Sequence, residues 1–398
     1  MQQFSDDTDG RKSTSRADTV PGVREMLTQL ISLPSISSAS AEWDHSNEPV
    51  VRTLGEWLEA LGFCVEVLAV PGMPGKYNLI GTLGSGSGGL VLSGHTDTVP
   101  FDDKRWQSDP FTLTERDNRW YGLGTCDMKG FFPLAIEAAK AFTAADMKQP
   151  LIILATADEE TSMNGARALA EAGQPKARYA VIGEPTSLRP VRMHKGIMME
   201  RLTFEGQSGH SSDPGLGRNA LEGMHEALGE LLTLRADWQQ QYRNTNFDVQ
   251  VPTLNLGCIH GGDNPNRICA RCELHFDLRP LPGMSMENLR QDILHKIQPV
   301  AERRELTMEF EPLFDGVPPF ETSADAALVK ACETLTGHTA QAVAFATEAP
   351  WLQKLGMETL VLGPGSIDQA HQPDEFIELS QLEPTVKILR GLIRQFCL

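Results

Sequence analysis

The sequence predicts an α/β protein with a smaller α+β domain inserted into it, and three observations carry that prediction. First, four short apolar runs end in polar or charged residues: GLVLSGHTDT (89–98), LIILATADEE (151–160), YAVIGEP (179–185) and TLVLGPGS (359–366). Such runs are typical of parallel strands buried on both faces, and helix-like segments such as FFPLAIEAAKAF (131–142) and GARALAEAG (165–173) lie between them. Second, the texture changes between residues 194 and 314. RLTFEGQSGH and RCELHFDLRP alternate apolar with polar, as strands with one wet face do, and helical segments follow near 219–235 and 287–302. Third, buried-strand texture returns at TLVLGPG. We therefore expect a disordered tail over 1–19, a larger domain from 20–193 and 315–398, and a β-α-β-β-α-β insert over 194–314.

Composition narrows the function. The chain has 398 residues with 40% hydrophobic content, enough for a large core and for about two domains. Its 53 acids against 35 bases give a net charge of −18, which argues against nucleic acid and anionic lipid as partners. No apolar run approaches the roughly 20 residues that span a bilayer, and the first twenty residues lack the apolar segment of a secretion signal. The expectation is a cytoplasmic protein. Its seven cysteines are an odd number scattered along the chain, which suits reduced thiols. Cys269 and Cys272 form a lone C-x-x-C in a strand-like stretch, where a separation of three puts side chains on opposite faces, so both are expected to be structural.

In open α/β sheets, sites collect beyond the carboxyl ends of the strands, and the polar ends of the four runs would gather there. His95 and Asp97 form an H-x-D, which fits a metal-ligating imidazole with its orienting carboxylate but fits a hydrogen-bonded structural histidine as well. Asp127 sits in the glycine-rich YGLGTCDMKG before a helix, as a carboxylate bridging two cations or as a helix cap. Asp158, Glu159 and Glu160 are three adjacent acids, either the acidic first turn of a helix or a set that a nearby cation makes tolerable. Glu184 ends another strand, where a solvated glutamate is the plain alternative, and His371 lies in a loop marked by Gly and Pro. Each signal is weak alone. Two histidines and at least three carboxylates converging on one sheet edge form a donor set that suits zinc.

These stretches resemble a known family. HTDTVPFDD, GLGTCDMKGF, ATADEETS, GEPTS, GQSGHSSDPG and LVLGPGS-x-x-QAHQPDE are similar to motifs of the di-zinc deacylases and exopeptidases that include aminoacylases and carboxypeptidases, with similarity from about Val20 to the C-terminus. The resemblance implies a zinc-exopeptidase-like catalytic domain with a mixed sheet, and an insert that serves as lid and dimerisation domain. It implies two Zn²⁺, with Co²⁺ able to substitute. Asp127 would bridge them, with His95 and Glu184 on one ion, Glu160 and His371 on the other, and Asp97 behind His95. Glu159 would be the general base and Asp158 structural.

The resemblance also implies a homodimer in which His210 reaches the partner's active site and helps stabilise the oxyanion. It places Asn266 and Arg279 near the carboxylate of a small N-acyl amino acid. Arg279 shares strand parity with Glu273, His275 and Asp277, hence the polar face, although a surface salt bridge explains that parity equally well. ATEAPWL (346–352) resembles the branch acting on acetylated substrates, and Glu348 could meet a substrate ammonium. GGDNPN (261–266) departs slightly from the family's form around Asn266. The rivals are a desuccinylase, which would need a second cationic anchor, and a metal-binding protein without turnover, which would have no use for Glu159.

Overall fold

The computed structural model describes residues 19–398, so the expected tail lies outside the described residues except for Thr19. Two compact units divide the chain. One consists of the chain up to Ala157 together with Pro364–Leu398, the other of Asp158–Gly363. The expected insert, 194–314, falls wholly inside the second unit.

The first unit begins with α1 (Val23–Ile31) and α2 (Glu48–Ala60), followed by β1 (Cys64–Ala69), β2 (Tyr77–Leu83) and β3 (Leu90–His95). Then come β4 (Thr114–Arg116), β5 (Arg119–Tyr121), α3 (Phe131–Ala139) and β6 (Leu151–Thr156). β3 and β6 run parallel, with Leu90 beside Leu151 and His95 beside Thr156, and every residue of both strands is buried. β2 lies antiparallel to β6 and to β1, so the sheet is mixed. The glycine-rich turn before β3 permits a close approach: a Cβ on Gly89 would stand 2.0 Å from the Pro150 carbonyl oxygen. The consequence of this register is that β3 ends by delivering His95 to the strand terminus.

The second unit opens with α4 (Asn164–Ala172), β7 (Tyr179–Pro185) and β8 (Val191–His194). From there β9 (Met198–Glu205), α5 (Ala220–Gln241), β10 (Thr253–Gly261), β11 (Arg271–Arg279), α6 (Met286–Arg303) and β12 (Thr307–Pro312) follow in β-α-β-β-α-β order. These four strands form an antiparallel sheet in the order β10-β11-β9-β12. In β11, Cys272, Leu274, Phe276 and Leu278 are buried while Glu273, His275, Asp277 and Arg279 are partly open, the alternation expected of a strand with one wet face. The Asn219 carboxamide oxygen caps α5 by accepting from Leu221 and Glu222 N–H, and the Ser285 hydroxyl caps α6.

The chain then passes through β13 (Phe320–Glu321), α7 (Ala327–Thr336), β14 (Gln341–Val343), α8 (Ala349–Lys354) and β15 (Glu358–Gly363). β15 runs parallel to β7, with Tyr179 beside Glu358. β16 (Phe376–Glu378) and α9 (Leu382–Cys397) return to the first unit, where β16 pairs with β5. No helix among the described residues is long and apolar enough to cross a membrane.

The cysteine expectation needs one correction. β11 starts only at Arg271, so Cys269 precedes the strand and strand parity does not apply to it. Both thiols lie in the same hydrophobic core, and burial pushes that of Cys272 up to about 11. They are structural, but not on opposite faces.

Candidate metal centre

In the first unit, β3 carries His95 to the strand end, and the loop before α3 carries Asp127. The imidazole Nδ1 of His95 stands 3.0 Å from the main-chain oxygen of Asp97, which can only accept, so Nδ1 holds the proton. Nε2 then turns its lone pair toward Asp127 Oδ1 at 3.0 Å. Two lone pairs at that distance require a second imidazole proton or a cation between them. His371 Nε2 stands 3.5 Å from the other carboxylate oxygen, Asp127 Oδ2. One buried carboxylate thus faces an imidazole on each oxygen. Two ligands of one tetrahedral ion, each at about 2.1 Å, stand roughly 3.4 Å apart, so both spacings suit a carboxylate shared by two metals.

Asp97 differs from expectation in one respect. Its carbonyl, rather than its carboxylate, is the nearer acceptor for His95, with Oδ1 at 3.8 Å and outside hydrogen-bond range. It still lies behind the imidazole, fully buried.

The Asp127 loop is fixed by Glu375, a residue outside the candidate ligand set. Glu375 Oε1 accepts from Cys126 N–H at 2.7 Å and Asp127 N–H at 2.9 Å, and Oε2 accepts from Gly124 N–H at 3.0 Å. Burial pushes the Glu375 carboxyl up to about 8, with the Asp127 carboxylate adding to the rise and the amide donors opposing it. The signal available in sequence was an acid four residues after His371, followed directly by apolar Phe376 and Ile377.

In the second unit the three adjacent acids do not open a helix, because α4 begins only at Asn164. Asp158 adopts a positive φ of 63°, its carbonyl accepts from Ser162 and Met163 N–H, and its carboxylate accepts from the Ser162 hydroxyl. It ties the turn together, while Glu159 and Glu160 are half-buried and Glu184 is buried in β7. Within the first unit His95, Asp127 and His371, and within the second Glu159, Glu160 and Glu184, offer the imidazole and carboxylate donors that hold a metal ion.

The remaining predicted residues are also in the second unit. His210 is exposed, its Nδ1 bonded to the Ser212 hydroxyl at 2.7 Å, and Ser211 N–H donates to the Asn266 carbonyl at 3.1 Å. The structure therefore brings the His210 and Asn266 loops together. Arg279 Nε contacts both Asp277 carboxylate oxygens, at 3.0 and 3.1 Å. Glu348 is buried at the start of α8, and the preceding residue is fixed by His194, whose Nε2 accepts from Thr347 N–H at 3.3 Å.

The profile described as "Peptidase family M20/M25/M40" matches residues 91–395. Along 380 residues the chain is 51% identical to a protein named "Acetylornithine deacetylase" from Proteus mirabilis (strain HI4320), a match covering 95% of this chain and 98% of that one. The chain belongs to the M20 family. Its fold agrees: aminopeptidase PepT from Bacillus cereus ATCC 10987 superposes with a TM-score of 0.72 at 20% identity, over 94% of this chain and 97% of that one. The YXEP protein of Bacillus subtilis, described as a dinuclear metal binding peptidase from the M20 family, gives 0.65 at 14% identity, over 93% and 96%. As an M20 member the chain is a metal-dependent amide hydrolase with the mixed α/β fold expected of it. A non-catalytic metal-binding role no longer competes.

Proposed function

We propose that this chain removes the acetyl group from N2-acetyl-L-ornithine, giving ornithine and acetate, a step of arginine biosynthesis in the cytoplasm. One observation carries the reading: the near-full-length identity of about half to the Proteus mirabilis deacetylase. The pairing of His95 and His371 with opposite oxygens of Asp127 supports the metal chemistry that the reaction needs.

In this reading Asp127 would be shared by two Zn²⁺, for which Co²⁺ could substitute; His95 and Glu184 would hold one, and Glu160 and His371 the other. Bound there, the ions would supply Lewis-acid polarisation of the amide carbonyl and a lowered pKa for the attacking water. The Glu159 carboxylate takes the proton from that water and returns it to the departing amine nitrogen as the C–N bond breaks. Asp97 holds His95 in the tautomer whose Nε2 is a ligand. His210 works from the opposite subunit of a homodimer, donating to the oxyanion. Arg279 and Asn266 take the substrate carboxylate, and Glu348 its side-chain ammonium.

Initial rates on N-acetylornithine, N-acetylmethionine and N-succinyl-diaminopimelate test the assignment. N-acetylornithine should be the fastest by at least about tenfold, equivalent to roughly 1.4 kcal/mol of transition-state preference. A tenfold preference for the succinylated substrate would replace the deacetylase by a desuccinylase.

A further inference from the structure

We propose that Glu375 is a positioning residue of the metal centre, setting the place of Asp127 relative to His371. The inference rests on the metal-centre reading above and assigns a role to a side chain that is not itself a ligand. Glu375 binds the 122–127 loop at five points. Its carboxylate accepts the three amide N–H groups of Gly124, Cys126 and Asp127, at 3.0, 2.7 and 2.9 Å. Its main-chain carbonyl accepts from Gly122 N–H at 3.0 Å and from the Thr125 hydroxyl at 3.4 Å.

Those bonds join two loops that are far apart in sequence. One carries Asp127 and the other carries His371, four residues before Glu375. A second tie, from Cys126 Sγ to the Ser366 carbonyl at 3.4 Å, runs between the same two stretches. The loop is shaped to present its amides: Gly124 has φ +87°, and a Cβ there would meet Lys129 Cε at 2.8 Å. Three N–H groups aimed at one buried acceptor are a costly arrangement to leave unmatched, so the loop conformation depends on the carboxylate. Glu375 is 1% exposed, so in the folded chain its carboxylate, and not bulk solvent, is the acceptor these amides meet.

Residues that orient metal ligands typically change metal affinity or activity 10- to 100-fold when removed, in both cases by displacing the ligand itself. The test compares the wild-type protein with Glu375→Ala and Glu375→Gln. Zn²⁺ and Co²⁺ affinity is measured by competition with a chromophoric chelator, the Co²⁺ absorption spectrum is recorded, and melting temperature is followed in parallel. Glu375→Ala should bind metal about 10- to 100-fold more weakly with an altered Co²⁺ spectrum. Glu375→Gln keeps an acceptor oxygen for only part of the amide set and should fall between the two. Activity lost in Glu375→Gln should return in part at saturating metal.

A merely structural Glu375 gives a different pattern: a lower melting temperature with wild-type metal affinity and spectrum in Glu375→Gln. That result would overturn the proposal. If Glu375→Ala does not fold, the glutamine variant decides alone. Failure of the wild-type protein to bind either ion would instead remove the metal-centre reading, and this inference with it.

Discussion

Asp127 and His210 both sit on glycine-containing loops, yet one is buried and locked while the other is exposed and tethered locally. Asp127 lies in a loop that Glu375 holds through amide hydrogen bonds, facing an imidazole on each carboxylate oxygen. His210 is held by its own Ser212 and by main-chain bonds between its loop and that of Asn266, from Ser211 N–H to the Asn266 carbonyl and from Ile268 N–H to the Gly209 carbonyl. The difference follows from what each must do in the proposed reaction. A bridging carboxylate has to keep its place without a ligand-induced rearrangement, so the fold spends buried hydrogen bonds on it. A residue that meets substrate, or a partner subunit, has to remain accessible until then.

The largest test of this contrast lies in the three acids. Glu159→Ala should retain bound metal and lose activity by about 10²- to 10⁴-fold, the usual scale for a general acid–base group. Glu160→Ala should lose metal along with activity. Elemental analysis of both purified variants decides: equal metal loss would merge the two roles, and near-normal turnover of Glu159→Ala would remove the mechanism. Exhaustive chelation should likewise abolish activity, with recovery on adding Zn²⁺ or Co²⁺.

The exposed side of the comparison is broken or sharpened by mixing inactive variants. Glu159→Ala and His210→Ala, refolded together, should recover roughly a quarter of wild-type activity if His210 serves the opposite subunit, because random pairing makes half the dimers mixed with one complete site each. No recovery in a mixture that contains heterodimers would place His210 in its own chain's chemistry.

The buried strands were the legible part of the fold. β3, β6, β7 and β15 are built on short apolar runs that end in polar or turn-forming residues, so their ends, and with them His95 and Glu184, could be read from sequence. The alternation in β11 told which residues faced outward and left a salt bridge open for Arg279, though not that Asp277 would be its partner. What stayed hidden depends on tertiary pairing. Glu375 meets the Asp127 loop across nearly 250 positions of chain, and no local pattern announces three amides converging on it. Of the two readings the sequence left open for the acids at 158–160, the helix start falls for a local reason: Asp158 takes a left-handed conformation, and α4 begins only at Asn164.

Arg279 offers a smaller effect that separates recognition from scaffolding. If its guanidinium binds the substrate carboxylate, Arg279→Lys should raise KM by roughly ten- to a hundredfold, the range of about 1.5–3 kcal/mol for a charged hydrogen bond, since an ammonium cannot reproduce the planar fork. If the pair with Asp277 is its whole role, KM should stay near wild type and stability should fall by less than about 1 kcal/mol, because both side chains are partly exposed.

The smallest effect concerns His194, whose imidazole is buried and held below its usual range, at about 4, by burial. Its Nδ1 stands 2.8 Å from the Lys195 carbonyl, so Nδ1 carries the proton and Nε2 accepts from Thr347 N–H, a pair of bonds only the neutral ring can make. The unfolded chain takes up this proton near pH 6.5 and the folded chain only near 4, so between those values the unfolded state binds more protons and stability falls as pH falls. From about pH 7 to about pH 5 the loss from this residue alone should be about 2 kcal/mol. Denaturant titrations of wild type and His194→Gln at both pH values isolate it, because the other titrating groups are common to both. Stability curves with the same pH dependence would mean that His194 is protonated in the fold, and that the bond fixing Thr347 beside Glu348 is not made in the way its geometry indicates.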